Sequence, residues 1–505
     1  MKDKGLRGAL ADKGLRHDAI GLWDNAIIGI ASTSPAYSIA CTIGYVVIAV
    51  GLQAPAAAIV AFVPMLFTAF AYRELNRAVP DSGTAFTWGA KAFGPVVGWL
   101  GGWGVAMSGT LALANVAEVA AQYGLRLIGQ DELAGNRVAL TVIGAASIAV
   151  MTWVSTRSLE FGAKMQRWLT AIQIGALILF SVVALWRVYA GDALDTSVRP
   201  SWEWFNPFAF DSVSSFTQAF LLMLFIYWGW DSCLAVNEET TDRHHTPGRA
   251  ALLCSVILLG VYTLTTVALL AYGGAGDGPT GLGNEDIADD VFAALSDSVL
   301  GPLAIIVVIA VLISAVSSTQ TTILPTARGL LAMAAYRALP QRFAKVNPKY
   351  GTPSFSTTVM GIVAICYYVG LSLISQNVLY DSVASLALAV AFYYSIVAFS
   401  CVWFFRRDLR RSARDLWFKG IFPLLGGIIM LAAFVRSAID MWDPEYGETS
   451  LLGVGGVFVI GIGSLAVGVV LMMLCWLREP AYFRGRTLTA DTEVLVPEEG
   501  TPTGL

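Results

Sequence analysis

Four hydroxyl side chains, Ser32, Thr33, Ser34 and Ser38, crowd around Pro35 in the stretch GIASTSPAYS at 29–38, whose flanks are apolar enough to cross a bilayer. Proline has no amide hydrogen and its ring clashes with the carbonyl one turn earlier, so a helix entering this stretch should break. In hydrocarbon the freed peptide groups must find protein or water partners. Two arrangements meet that demand: a binding cavity near mid-membrane lined by residues 29–38, or a Pro-kinked helix capped by its own Ser and Thr hydroxyls. A second group stands in FIYWGWDS at 225–232, where Gly229 weakens the helix and Asp231 places a carboxylic acid well inside an apolar run. An ionisable group at that depth faces a cavity or a partner. Asp231 is read either as a proton carrier or as a hydrogen-bonding stitch across a broken helix. Other reactive types do not assemble. His17, His244 and His245 lie outside the apolar runs, and the six cysteines lie within them at no metal or disulfide spacing. No metal site and no cofactor are expected, and an intramembrane enzyme lacks the paired acids or histidines it would need. Without a GxxxxGK[ST] phosphate loop, work by this chain would draw on an ion gradient or on exchange.

The elements that must carry these residues follow from composition. With 505 residues, 56% hydrophobic and 13% charged, the chain is far from the soluble norm and reads as a polytopic membrane protein embedded in lipid. Its net charge of −4 gives no reason to expect a nucleic-acid partner. Runs long enough to span occur at 24–50, 54–77, 95–122, 138–156, 166–189, 213–238, 249–272, 301–335, 355–376, 382–405, 417–436 and 451–476, twelve transmembrane helices in all. Of 32 Lys and Arg residues, only Arg126, Arg137, Arg187, Arg199 and Arg436 fall in the loops that would be outside if the N-terminus is inside. That asymmetry predicts a multi-pass protein of the cytoplasmic membrane with both termini cytoplasmic. The charged N-terminus lacks the apolar core of a cleavable signal, so the first span is expected to direct insertion. The tail after Arg486, acidic and containing Pro and Thr, is expected to be disordered.

Spans one and six are both interrupted, five helices apart. Disrupted spans in corresponding positions of two halves point to an inverted-repeat transporter whose site lies where the repeats meet. The expected architecture is all-α, a leucine-transporter-type fold with a 5+5 inverted repeat and broken helices 1 and 6. A cytoplasmic tail at 1–22 precedes a first repeat at 23–190. An extracellular loop at 191–212 leads to a second repeat at 213–408, then the last two spans at 409–478 and a tail at 479–505.

Three motifs carry a resemblance. The stretch AYRELNRAVPDSGTAFTWGAKAFGPVVGWLGGW at 71–103 holds Glu74, Pro80, Ser82-Gly83, Phe86, Gly94-Pro95 and Gly102-Trp103. Span six continues as YWGWDSCLAVNEETTDRHHTPGRA, with Asp231, Glu238-Glu239, Pro247 and Arg249. After span eight, ARGLLAMAAYRALPQRFAKVNPKYGTP holds Arg328, Met333, Leu339-Pro340 and Thr352-Pro353. In this order they resemble the amino acid-polyamine-organocation superfamily of permeases. The resemblance implies that Ser32, Thr33, Ser34 and Ala36 line the side of the site that holds a substrate carboxylate. It implies that the backbone of Phe225 and Trp228 holds the amino group, with Phe225 closing over the substrate as a gate. Helix N-termini favour anions and freed carbonyls favour cations, in agreement with that division.

Two departures matter. The family's Gly-rich first break is replaced by Pro35, Ala36 and Tyr37, and Pro35 removes an amide that might meet a carboxylate, which moves weight toward an amine or polyamine. The lysine by which many proton-coupled members replace a sodium ion is matched by Gln173, which cannot cycle a proton near neutral pH. Ser317, Ser318 and Thr319 offer hydroxyls to a sodium ion, or bond the preceding helical turn. Coupling by a proton through Asp231 and coupling by sodium at Ser317 and Ser318 therefore both stay open. Asn115 and Glu118, three apart on one helix face, are read as an entry point for a cationic substrate or, for Glu118, as a headgroup contact. The expected function is a secondary active permease or symporter for amino acids or related amines. Polyamine, sodium-coupled and exchange variants are alternatives, and a non-transporting nutrient sensor is the alternative of another class.

Overall fold

The computed structural model describes residues 13–157 and 159–495. Among them, eleven helical stretches are long and apolar enough to cross a membrane, and the only strands are the two-residue pair Ser450–Leu451 and Val454–Gly455. The first stretch, Leu22–Ala78, has 57 residues, roughly 85 Å as one straight helix at 1.5 Å per residue. It bends back at Gly51–Gln53, where Gly51 has φ 56°, so it is twice what one crossing needs.

The long helices are α1 (Leu22–Thr33), α2 (Pro35–Val50), α3 (Ala54–Ala78), α4 (Ala85–Phe93), α5 (Pro95–Leu127), α6 (Arg137–Ser155), α7 (Leu159–Ala190) and α8 (Val213–Tyr227). They continue as α9 (Thr246–Gly273), α10 (Val291–Leu300), α11 (Ile305–Ala335), α12 (Ser354–Ile374), α13 (Gln376–Phe404), α14 (Phe422–Asp440) and α15 (Gly456–Arg478). The stretch holding α8 ends at Ala235, so Glu238 and Glu239 lie beyond the span rather than inside it.

With lipid as apolar as leucine, helices associate through close packing of small residues rather than by escaping water. Helix α5 shows this along its first turns. A Cβ at Gly98 would sit 2.7 Å from the backbone of Phe86 and Ala90, and one at Gly101 would sit 2.7 Å from the Ala85 carbonyl, so α4 lies directly on α5. Helix α13 packs on both α5 and α3, while the helices that carry the interruptions have other neighbours: α1 lies against α7, α9 and α11, and α8 against α2 and α3.

Both described termini meet at one end of the bundle. Lys13 is buried beside Asp81, and Tyr482 donates to the carbonyl of Pro95. The segment after Arg486, expected to be disordered, is packed here through residue 495. Leu488 is buried, Thr487 donates to the Tyr336 carbonyl at 2.6 Å, and the Leu495 amide donates to the Tyr336 hydroxyl. Three anchoring contacts outweigh the polar composition on which that expectation rested. The remainder of each terminus, 1–12 and 496–505, lies outside the described residues.

Candidate functional site

The first interruption is one residue wide. Helix α1 stops at Thr33, Ser34 takes left-handed backbone angles (φ 52°, ψ 58°), and Pro35 starts α2 at the position where its missing amide costs nothing. The freed carbonyls are not bare. Ile30 accepts from the Thr33 hydroxyl at 2.8 Å, Ala31 from the Ser34 amide, Ser32 from the Ser318 hydroxyl at 3.3 Å, and Thr33 from the Ser38 hydroxyl at 2.7 Å. Hydroxyl capping and a cavity, alternatives in the sequence, coexist.

The second interruption is wider. Helix α8 ends at Tyr227, Trp228 is extended, and Gly229 has φ 120°, where a side chain is strained. A Cβ at Gly229 would lie 2.7 Å from the Ser32 carbonyl and 2.9 Å from the Thr33 amide nitrogen. The two breaks therefore touch backbone to backbone. The Ser32 and Ser232 hydroxyls bond across them at 2.7 Å.

Where they meet, a small polar space, partly open to solvent, is lined by Ser32, Thr33, Ser34, Phe225, Trp228 and Ser318, with Tyr37, Ser38, Asn115 and Leu386 completing the wall. Ala36, expected on this wall, is fully buried in the hydrophobic core and is not among the lining residues. Ser317, expected beside Ser318, turns away and donates to Gln166. The glutamine of α7 that reaches α11 is this Gln166, bonded to Gln320 at 2.8 Å and the Ser317 carbonyl at 3.1 Å. Gln173, two turns on, is fully buried away from the cavity, and its amide atoms have no partner among the described residues. Asn115 lines the space, whereas Glu118 accepts the Tyr368 hydroxyl from α12 rather than reaching headgroups.

Asp231 lies behind the wall. Its carboxylate oxygens accept the hydroxyls of Tyr393 at 2.9 Å and Tyr394 at 3.1 Å, and no ion pair reaches it among the described residues. The Tyr393 oxygen also accepts the Trp228 indole N–H at 2.7 Å, which gives a chain from the cavity wall to the acid. Tyr72 and Trp230 stack edge to face close by. Sequence reading missed both tyrosines of α13, since an aromatic pair in an apolar run reads as packing.

Below the cavity, the end that holds the termini is shut by buried charge. The Lys13 ammonium, fully buried, donates to Asp81 at 2.7 Å and Glu238 at 2.5 Å. Asp81 also accepts Thr87, the Gly83 amide and Tyr336, Glu238 accepts the Ser82 amide, and Arg328 grips Glu239 with two bonds. Burial opposes the charge of Lys13, yet its two carboxylate neighbours together raise it above the ordinary lysine value. Burial likewise works against Asp81 but is outweighed by Lys13 and the hydrogen-bond donors, which hold it low. For Glu238 burial wins over the pull of Lys13, Asp81 adds to it, and the carboxyl is pushed up.

A multi-pass helical bundle with two touching helix breaks over a small polar cavity defines a solute permease. The chain belongs to the amino acid permease family, whose model matches residues 20–476, and is a membrane permease rather than an enzyme. It is 26% identical over 456 residues to an uncharacterized transporter of Mycobacterium tuberculosis, covering 89% of this chain and 90% of that one. It is 25% identical to the human Asc-type amino acid transporter 1 over 59% of this chain and 55% of that protein, so it matches about half of the human transporter's length. It is 22% identical to the low-affinity putrescine importer PlaP of Escherichia coli, over 76% of this chain and 80% of that one.

Proposed function

We propose that this protein is a secondary transporter that moves an amino acid or a related amine across the cytoplasmic membrane by alternating access, coupled to protons through Asp231. The observation that carries the reading is the cavity at the contact of the two breaks, with a buried carboxylate one tyrosine behind its wall. Among the described residues no counter-charge reaches Asp231, so a proton or a substrate ammonium would complete it. Trp228 and Tyr393 connect that acid to the space a solute would fill. Counting 22–78 as two passes gives twelve spans, two five-helix repeats at 23–190 and 213–408, and both termini in the cytoplasm, as the basic-residue asymmetry supports. In this reading Ser32, Thr33, Ser34 and Trp228 bind the solute, Phe225 gates it, and Ser318 contributes a hydroxyl.

An amine or diamine cargo is a second reading, favoured by a specific observation. At the start of α2, Pro35 has no amide hydrogen and the Tyr37 amide is already bonded to Ser314, which leaves little to hold a carboxylate. Purified protein in liposomes, offered labelled amino acids and putrescine under an imposed proton gradient, tests both. Saturable uptake abolished by a protonophore is expected, with Asp231→Asn at least tenfold slower. Uptake that needs sodium and ignores the proton gradient would move coupling to the Ser318 side. Binding without flux would make the protein a sensor.

A further inference from the structure

The lock at the terminus-bearing end has a charge imbalance. Lys13 brings one positive charge to two fully buried carboxyls, Asp81 and Glu238, while Glu239 is already matched by Arg328. A net charge in a buried site is costly, and buried groups neutralise where they can. Glu238 Oε1 takes both Lys13 and the Ser82 amide, while Oε2 is buried with no hydrogen-bond partner among the described residues. That oxygen is the place for a proton.

We propose that the closed lock of Lys13, Asp81 and Glu238 binds one exchangeable proton and releases it to the cytoplasm when Lys13 withdraws, so that cytoplasmic pH sets how readily this end opens. The step is a simple dissociation: the O–H bond at the Glu238 carboxyl breaks and the proton goes to water. It rests on the cytoplasmic placement proposed above but not on which solute is carried.

The groups facing the lock come from every packed element. The N-terminal segment brings Lys13 and His17, whose Nδ1 contacts the Glu238 carbonyl, and the loop before α4 brings Asp81. The end of α11 brings Tyr336, and α4 brings Lys91, which donates to the carbonyls of Thr489 and Thr492 and acts on Asp81 from a distance. Of these, Glu238 is the carboxyl held above its ordinary value in the closed form. The sign follows. Below an ordinary glutamate value of about 4.3 both forms are protonated. Above it the open form loses the proton first, so each further unit of pH weakens closure up to tenfold until the closed-form value is passed. Asp81 is held low and acts only below that window, and Lys13 only far above it.

Two native thiols report opening. Cys233 and Cys254 are fully buried against α1, where a Cβ at Gly29 would lie 2.5 Å and 3.2 Å from their sulfurs, so withdrawal of α1 uncovers them. With Cys41, Cys366, Cys401 and Cys475 changed to alanine, the full chain in lipid nanodiscs is labelled with an impermeant maleimide from pH 4.5 to 8.5. The rate is divided by that of Glu238→Gln in the same background, which cancels the thiol's own titration. The expected ratio rises severalfold with pH, beginning at the acidic end, the direction set by a carboxyl held up in the closed form. Lys13→Gln, which removes the lock's cation, is expected to label fast at every pH, and it serves as the reference if Glu238→Gln melts early. A ratio that stays flat against either reference overturns the proposal, as does a ratio that falls.

Discussion

Gly229 is the residue on which the two breaks depend. Its left-side φ and the 2.7 Å clearance to the Ser32 carbonyl leave no room for a methyl group. Gly229→Ala should cost about 1–2 kcal/mol from backbone strain alone and more from the displaced peptide, read as a lower melting temperature together with lost ligand binding. A melting temperature unchanged from the parent would show that the breaks do not touch as described. The Tyr393 hydroxyl links wall to acid, so Tyr393→Phe should leave folding intact while shifting the pH profile of uptake; a profile identical to the parent's would separate Asp231 from the cavity. Some of this was legible in the sequence. Pro35 amid hydroxyls marked the break to within a residue of Ser34, and Asp231 stood out as an acid in an apolar run. Lys13 did not, because a lone lysine in a charged tail has the same composition whether it is solvated or, as here, swallowed by two carboxylates from segments 68 and 225 residues away. Ala36 was misplaced because the resemblance transfers positions along a chain, whereas its neighbours Tyr37 and Ser38 reach the wall and it does not.

At the scale of elements, the terminal segments act as straps rather than tails. The C-terminal segment ties Lys91 of α4 to Tyr336 at the end of α11, and Tyr336 in turn holds Asp81. Removing residues 487–505 should free Tyr336 and raise the labelling rate of Cys233 and Cys254 several-fold; an unchanged rate would show the strap to be passive. Lys13→Met should penalise the closed form by about 3–5 kcal/mol, the usual cost of stripping one partner from a buried pair. Composition could not announce this. The apolar side chains that seat the strap, Tyr482, Phe483 and Leu488, are few, and their partners Phe86 and Trp99 lie nearly 400 residues earlier.

For the whole molecule, hydropathy located the long apolar helices because backbone in lipid has so few options: every long apolar run had to be helical. It could not say which helices touch, since side chains facing lipid and side chains facing protein are equally apolar. That is why the pairing of Gln166 with Ser317, rather than Gln173, emerged only in three dimensions. The family assignment rests on 20–476, nearly the whole described chain. A ligand that binds only the folded state raises its apparent stability by about 2.7 kcal/mol at a hundredfold excess over its dissociation constant. Melting the protein against amino acids and amines, with and without sodium, should therefore single out one chemical class. No shift with any of them would deny the cavity a solute of this kind.

The most direct test fills that cavity. Thr33 lies on its wall at the break, so Thr33→Trp puts an indole where a solute would sit. In liposomes, the parent protein should show saturable uptake of a labelled amino compound, and Thr33→Trp should lose it by more than about twentyfold while still unfolding cooperatively, even though the lost hydroxyl cap lowers its melting temperature. Uptake by Thr33→Trp at the parent's rate would mean the solute crosses somewhere else.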